Sequence, residues 1–230
     1  MNMEHKEISL PENALHIRKE GFHAALLPDR TGDKVVVHCG DVVVEGMRFA
    51  TAFFGRGEFV PDETVTRDNG VYFRQELFGQ YYQPLRGDQL QPVTRENWRE
   101  LIRQRETSEE CRLVYNAHIR EMGPGIEIRV HAAGTDIVPL AVEIAFRPGG
   151  EFEGVVPAPA GDMTFLLREG YARYRVGEDV LRIGPGKAEH GYTAIRGAAA
   201  GYTDMTRLYF TGFTPFDHTF TLQRDSTHHP

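Results

Sequence analysis

Apolar and polar residues alternate along short segments of the chain, and single glycines and prolines separate these segments. Alternation with a period of two is typical of strands that bury one face, and glycine or proline between such segments indicates turns. Many short strands with turns between them indicate a sandwich or a barrel, and we expect an all-β fold, a large antiparallel β-sandwich. The predicted strands are residues 35–38, 42–44, 48–54, 71–78, 112–121, 126–131, 138–146, 163–167, 171–176, 180–183, 192–196, 208–213 and 219–222.

One segment departs from the alternating pattern and predicts a helix. No glycine or proline interrupts residues 95–105, and Thr94 precedes them as a candidate N-cap. Four side chains recur there at helical spacing: Trp98, Leu101, Ile102 and Arg105. We expect one short helix over residues 95–105, with a long surface loop at 81–92 leading into it.

Bulk composition and charge narrow the class of protein. The 230 residues include 40% hydrophobic and 26% charged residues, which lies near globular averages. No linker or repeat interrupts the pattern, so we expect one sandwich domain over residues 1–223 and a frayed tail at 224–230. Residues 1–10 hold no apolar run long enough for a signal-peptide core or a membrane span, so we expect a cytoplasmic protein without a membrane partner. The net charge of −7 argues against a nucleic-acid partner.

Cysteine usage indicates neither a disulfide framework nor a thiolate metal site. The two cysteines, Cys39 and Cys111, fall in different predicted hairpins and have no C-x-x-C spacing. We expect both to be free, unreactive thiols.

The hairpin around Gly123-Pro124-Gly125 is the first candidate for chemistry. A two-residue Pro124-Gly125 turn would place His118 directly opposite His131, with their Cβ atoms about 5 Å apart. Two such imidazoles could bind a divalent metal if Glu127 or Glu143 completed the ligand set, whereas a three-residue turn would separate them. Solvated surface histidines are the alternative. Strand alternation places the following side chains together on the outer face: His118, Arg120, Glu127, Arg129 and His131.

The hairpin over residues 171–183 is the second candidate. A Gly177-Glu178 turn would pair Arg173 with Arg182, and a Glu178-Asp179 turn would pair Arg175 with Arg182. Either register sets like charges opposite each other, which is destabilising unless a carboxylate or an anionic ligand compensates. Four residues could therefore bind an acidic sugar: Tyr171, Arg173, Arg175 and Arg182. Ordinary intramolecular ion pairs are the alternative.

The glycine-rich loop at 184–191 is the third candidate. It delivers His190 and Tyr192 to the start of a predicted strand, with Arg196 on the same strand face as Tyr192. The histidine could act as a base and the tyrosine as an acid on one sugar ring. In the aromatic segment that follows, alternation predicts core packing, and Tyr209 and the Asp217-His218 pair are its polar candidates.

Three segments resemble strands of the large β-sandwich domains attached to heparinase-like polysaccharide lyases and related carbohydrate-active enzymes. They are PLAVEIAFRPGG at 139–150, GYARYRVG at 170–177 and YFTGFTPF at 209–216. The resemblance covers roughly the last 90 residues and is one of strand texture. It implies a sandwich that acts on a sugar or binds sugar for a partner chain. No long helical stretch corresponds to the helical toroid domain that such enzymes usually carry.

We therefore expect a carbohydrate-active sandwich that recognises an acidic or oligomeric sugar. If it is an enzyme, it is a lyase or isomerase in which His190 is the base and Tyr192 the acid, and in which Arg173, Arg175 or Arg196 neutralises a uronate carboxylate. The alternatives are a non-catalytic carbohydrate-binding or accessory subunit and a homodimeric assembly module. The cofactor stays unknown, with a divalent metal as the candidate.

Overall fold

The computed structural model describes residues 12–28, 32–67, 69–159, 161, 163–199 and 201–225. Its regular structure is almost entirely strand, with one short helix, α1 (Trp98–Arg103), and a 3-10 turn (Gly87–Gln89). This confirms the predicted all-β sandwich with a short helix near residues 95–105. The strands are β1 (Leu15–Lys19), β2 (Phe22–Leu26), β3 (Val35–Cys39), β4 (Val42–Thr51), β5 (Glu63–Arg67), β6 (Gly70–Tyr82), β7 (Thr107–Met122), β8 (Gly125–Gly134), β9 (Pro139–Phe146), β10 (Glu151–Glu153), β11 (Val156–Pro157), β12 (Thr164–Leu166), β13 (Ala172–Val176), β14 (Asp179–Gly184), β15 (Thr206–Phe213) and β16 (Phe216–Arg224).

The strands form two large sheets. Sheet A has the order β1-β2-β3-β4-β9-β15-β12-β11, and sheet B has the order β10-β13-β14-β16-β8-β7-β6-β5. Neighbouring strands are antiparallel except for β12 and β15, which are parallel. Most neighbours along the chain are joined by short hairpins, but β4, β9 and β15 in sheet A meet only through long-range pairing.

The hydrophobic core lies between the two sheets because alternation turns every second side chain inward. In β7, for example, Tyr115, Ala117 and Ile119 are buried, whereas Asn116 and His118 between them are only partly buried. A single large cluster joins the inward residues of both sheets. The polar side chains of the strands therefore lie on the two outer faces, where a functional site has to be sought.

The turn between β7 and β8 differs from the predicted one. Met122 pairs with Gly125, so the two-residue loop is Gly123-Pro124 and the predicted Pro124-Gly125 turn is wrong. Gly123 has a φ of +50°. Positive φ at the first turn position followed by the fixed negative φ of proline suits a type II′ hairpin turn, which matches the twist of the strands.

This turn shifts the strand register by two residues and removes the predicted histidine pair. His118 lies opposite Arg129, and His131 lies opposite Asn116. Because side chains alternate with a period of two, a shift by two residues keeps each of them on its predicted face. The predicted outer face of this hairpin is therefore confirmed, while the pairing of His118 with His131 is wrong.

The predicted strand at 192–196 is also wrong, since these residues have irregular structure. The segment covers part of the outer face of sheet A, where Ile195 packs against a small apolar cluster that includes Tyr209. Its apolar residues thus reflect packing over a sheet and not membership in one. The predicted core packing of the segment that contains Leu208 and Phe210 is confirmed, since both residues are buried in the main core cluster.

Other helices and strands differ from the predicted ones for local reasons. The helix begins three residues late, because the Thr94 hydroxyl accepts hydrogen bonds from the N–H groups of Glu96 and Asn97 in a preceding turn. Strands β1, β2, β5, β10 and β11 were not predicted; β1, for instance, buries only Ile17 and so gives little apolar signal.

The last strand overlaps the predicted tail by one residue. Strand β16 runs to Arg224, which is the first residue of the predicted tail, and residues 226–230 lie outside the described part of the chain.

Cys39 and Cys111 are buried and free, as predicted. Burial raises the pKa of the Cys39 thiol to about 11, so it stays protonated and unreactive at neutral pH. Among the described residues, no helix is long and apolar enough to cross a membrane.

Candidate functional site

A cleft of about 270 Å³ lies on the outer face of sheet B, where β5, β6 and β7 run side by side. Small-ligand sites in proteins commonly have volumes of roughly 300–1,000 Å³, so this cleft can hold a small ligand or one end of a larger one. We call it the sheet B cleft. Its lining residues are Glu63, Val65, Arg67, Gly70, Tyr72 and His118.

Strand register assembles the cleft. Val65 of β5 pairs with Tyr72 of β6, Tyr72 pairs with His118 of β7, and His118 pairs with Arg129 of β8. Directly paired residues point to the same face of a sheet, so these four side chains form one row across four adjacent strands. The row exists because of long hairpins that hold four strands in fixed register.

Tyr72 forms one wall of the cleft and is held in place. Its hydroxyl donates a hydrogen bond of 2.6 Å to Oδ1 of Asn116. Its ring lies edge-on to the ring of His118, with 6.3 Å between centroids. Because the hydroxyl proton already serves Asn116, the phenol oxygen is best suited to accept a hydrogen bond from a ligand hydroxyl.

His118 is partly buried, and its imidazole forms no hydrogen bond with any described residue. Desolvation lowers the pKa of its imidazole, and the positive charge of Arg120 lowers it further, while Glu127 opposes them. Arg67 and Arg129 add smaller contributions that also lower the pKa. Because its pKa is lowered, the imidazole is predominantly neutral at pH 7 and has a nitrogen that can accept a proton.

The arginines near His118 differ in whether a carboxylate already engages them. Arg120 pairs with Glu127 at 2.7 Å, and Arg129 donates two hydrogen bonds to Asp217 at 2.8 and 3.1 Å. The guanidinium of Arg67 has no ion pair or hydrogen bond with any described residue. A guanidinium without an internal partner can bind a ligand carboxylate through two parallel hydrogen bonds.

The predicted substrate-binding residues of the 171–183 hairpin lie elsewhere on sheet B. Arg173 and Arg182 are directly opposite, as predicted for the Gly177-Glu178 turn. The guanidinium of Arg182 stacks over the ring of Tyr171 at 3.6 Å, and Arg173 donates to Asp225 at 2.6 Å. The chain thus compensates both of the opposed charges itself.

That hairpin is distant from the sheet B cleft. Strands β16 and β8 lie between β14 and β7, which corresponds to about 14 Å of sheet. The side chain of Arg175, on the same hairpin, forms no hydrogen bond or ion pair with a described residue. It is therefore a second place on this sheet where an anion could be held.

The predicted catalytic residues are brought together only in part. The rings of His190 and Tyr192 lie 4.9 Å apart. However, Nδ1 of His190 accepts a hydrogen bond from the N–H of Tyr192 at 3.1 Å, and Nε2 lies 3.0 Å from the carbonyl oxygen of Gly212. Both ring nitrogens thus bond to the backbone, which indicates that the ring fastens this loop. Arg196 is exposed and has no ion pair with a described residue, and the catalytic role of the three stays a prediction.

The structure does not assemble the predicted metal ligands. His118 and His131 are not opposite each other, and Glu143 belongs to sheet A, whereas both histidines belong to sheet B. Glu127 pairs with Arg120. Within the described ranges, no three side chains of His, Cys, Asp or Glu gather in a way that could hold a metal ion.

Sequence reasoning identified His118 but missed the rest of the sheet B cleft. Tyr72 alternates with the buried Val71 and Phe73, a pattern that already placed it on an outer face. Arg67 and Glu63 belong to β5, whose sequence ETVTR is short and largely polar. Only the pairing of β5 with β6 brings them beside His118, and a single sequence does not reveal that pairing.

Comparisons with known proteins place the chain at a distance from them. No protein-family model matches it, and no curated protein matches it. Among solved structures it is similar to 4-alpha-glucanotransferase from Thermococcus litoralis, with 13% sequence identity and a TM-score of 0.41. The match covers 92% of this chain and 37% of that chain, so the present chain spans little more than a third of that enzyme.

Proposed function

We propose that this chain recognises a sugar that carries a carboxylate, such as a uronate, in the sheet B cleft. The observation that supports the proposal is an imidazole, His118, whose pKa is lowered and which forms no hydrogen bond with the described residues, beside Tyr72 and Arg67. Arg67 would bind the carboxylate, and Tyr72 would accept a hydrogen bond from a ring hydroxyl.

The same arrangement supplies the chemistry of a base. A neutral imidazole can remove a proton from the carbon next to a carboxylate, and a guanidinium on that carboxylate offsets the charge that develops. His118 and Arg67 would take these parts in a lyase or isomerase. Activity would then rise with pH through the lowered pKa of His118 and level off near neutrality, because only the neutral ring accepts the proton.

A binding protein without turnover is the second candidate. The hydroxyl proton of Tyr72 is donated to Asn116, so this phenol is not free to protonate a leaving group. Sugar recognition for a partner would need only the binding contacts. Turnover of a uronic-acid oligomer, followed by the ultraviolet absorbance of an unsaturated product, separates the two candidates.

Calorimetric titration with glucuronate, galacturonate and glucose tests the proposal. The uronates should bind and glucose should bind the cleft at least tenfold more weakly, because it lacks the carboxylate that Arg67 would hold. Arg67→Gln should weaken uronate binding about tenfold, as expected for loss of a charge-assisted hydrogen bond.

Arg175→Gln is the matched control, since Arg175 is also an arginine of sheet B without an ion pair to a described residue. Uronate binding should survive this change. If Arg175→Gln abolishes binding and Arg67→Gln does not, the ligand lies on the 171–183 hairpin. If no uronate binds at all, the proposal fails and a homo-oligomeric assembly module becomes the leading hypothesis.

A further inference from the structure

A second row of polar side chains crosses the outer face of sheet A. Arg48 of β4 pairs with Glu143 of β9, and Glu143 pairs with Tyr209 of β15. These three side chains lie on the same face because they are directly opposite in register. We call them the sheet A row. Arg207, two residues before Tyr209 on the same strand face, extends it, and Tyr209 interacts with both Glu143 and Arg207 through its hydroxyl.

Two consecutive residues cover the sheet A row. The N–H of Tyr202 bonds to the carboxylate of Glu143, its hydroxyl bonds to Asp33, and the guanidinium of Arg48 lies 4.5 Å from the centre of its ring. A Cβ atom on Gly201 would lie only 2.9 Å from Oε1 of Glu143. Glycine at this position therefore permits the chain to lie directly against the carboxylate.

Beneath this cover, two polar atoms lack hydrogen bonds. Oε1 of Glu143 and Nε of Arg207 are both shielded from solvent and have no partner among the described residues. Buried polar groups are almost always paired, because an unpaired one loses its bonds to water without replacement. Oε1 therefore lacks a donor and Nε lacks an acceptor, and the bonds of the Tyr209 hydroxyl to Glu143 and Arg207 go to other polar atoms of these side chains.

The charges of this region select the kind of molecule that fits. Arg48 pairs with Asp33, and the positive charges of Arg48 and Arg207 favour the ionised form of Glu143. An added anion or cation would leave one charge uncompensated in a poorly solvated place. Desolvation already raises the pKa of Glu143. A neutral group that both donates and accepts satisfies the two open atoms, and a hydroxyl is such a group.

We propose that the sheet A row binds a neutral, hydroxyl-bearing ligand of the chemical class of a sugar. One hydroxyl, or two adjacent hydroxyls, donates to Oε1 of Glu143 and accepts from Nε of Arg207. This site is independent of the sheet B cleft, because it lies on the other sheet and selects against the carboxylate that the cleft would hold. Since neither atom touches solvent, the segment that carries Gly201 and Tyr202 has to move before the ligand enters.

Ligand-observed NMR with glucose and maltose tests this proposal. Arg207→Lys keeps the charge but removes Nε, and Glu143→Gln keeps the shape but removes the charge. Each should weaken binding about tenfold. Tyr202→Phe removes the hydroxyl that holds Asp33, so the closed cover should be less populated and apparent affinity should rise several-fold. Circular dichroism and a thermal melt establish whether each variant is folded. If Glu143→Gln does not fold, Arg207→Lys alone tests the proposal.

Arg67→Gln is the control, because it alters the sheet B cleft and should leave glucose and maltose binding unchanged. A loss of neutral-sugar binding in Arg67→Gln with none in Arg207→Lys would assign these sugars to the cleft and overturn the proposal. Absence of binding to both the natural protein and Tyr202→Phe would overturn it as well, and would leave buried water as the partner of the two atoms.

Discussion

The outer face of each sheet carries a row of polar side chains placed by strand register, but one row is open to solvent and the other is covered. On sheet B the row through Tyr72 and His118 is open, and it borders a cleft of about 270 Å³. On sheet A the row through Glu143 and Tyr209 is covered by Gly201 and Tyr202. Register alone places side chains beside one another, whereas a later segment of the chain decides whether solvent reaches them.

Burial shifts the pKa of one ionisable group in each row, and the two shifts have opposite directions. In both rows, desolvation disfavours the charged form: it lowers the pKa of His118 and raises the pKa of Glu143. His118 keeps an accessible ring, so its neutral form can meet a ligand. Glu143 is engaged by Tyr202 and Tyr209, so its chemistry is available only when the cover moves.

The largest effect that we predict comes from adding a methyl group at the floor of the sheet B cleft. In Gly70→Ala, the new Cβ would lie 2.5 Å from the carbonyl oxygen of Ile119 and 2.8 Å from Cα of Arg120. Backbone cannot yield as a side chain can, so the free energy of unfolding should fall by about 3 kcal/mol. Urea denaturation measures this. Gly87→Ala is the control, since its added Cβ would have no described atom within 4 Å outside Gly87 and its two chain neighbours; equal stability of the two variants would refute the prediction.

A smaller effect on stability, of opposite sign, is expected in the hydrophobic core between the two sheets. The ring of Tyr115 packs against Phe49 and Phe59, but its buried hydroxyl has no partner among the described residues. Tyr115→Phe should therefore stabilise the fold by about 1 kcal/mol. The matched control is Tyr174→Phe, because the Tyr174 hydroxyl donates to the carbonyl of Arg147 at 2.8 Å. This control should lose about 1 kcal/mol. A lower melting temperature in both variants would contradict the assignment of the Tyr115 hydroxyl as unpaired.

The smallest effect is expected for an ion pair on the open face. Arg129 and Asp217 are 57% and 50% exposed, so water screens their attraction. Arg129→Gln should leave the urea midpoint unchanged within error. Arg147→Gln is the comparison, because its partner Glu45 is only 11% exposed and the change should lower the midpoint measurably. If the urea midpoint falls equally in both variants, exposure does not determine how much these two ion pairs stabilise the fold.

The sequence was sufficient for features that depend on alternation within one strand. It predicted the outer position of His118 and Arg129, because a register error of two residues does not change the face. It was insufficient for features that depend on pairing between distant strands. The contact of Glu143 with Tyr209 joins β9 to β15, and the cleft needs β5 beside β6. Nothing in either strand alone specifies its neighbour, and the Gly123-Pro124 turn that forms was not among the predicted turns.

The most direct test of the sheet B cleft as the functional site is a pH titration of the His118 imidazole by NMR, with and without glucuronate. The signal is assigned by comparison with His118→Gln. We expect a pKa below 6.5 in the free protein, since burial and Arg120 disfavour the charged ring. Bound glucuronate should raise that pKa, because its carboxylate favours the protonated form, and the rise should vanish in Arg67→Gln. An imidazole that titrates at 6.5 or above in the free protein, or that does not respond to glucuronate, would contradict the assignment of the sheet B cleft as the functional site.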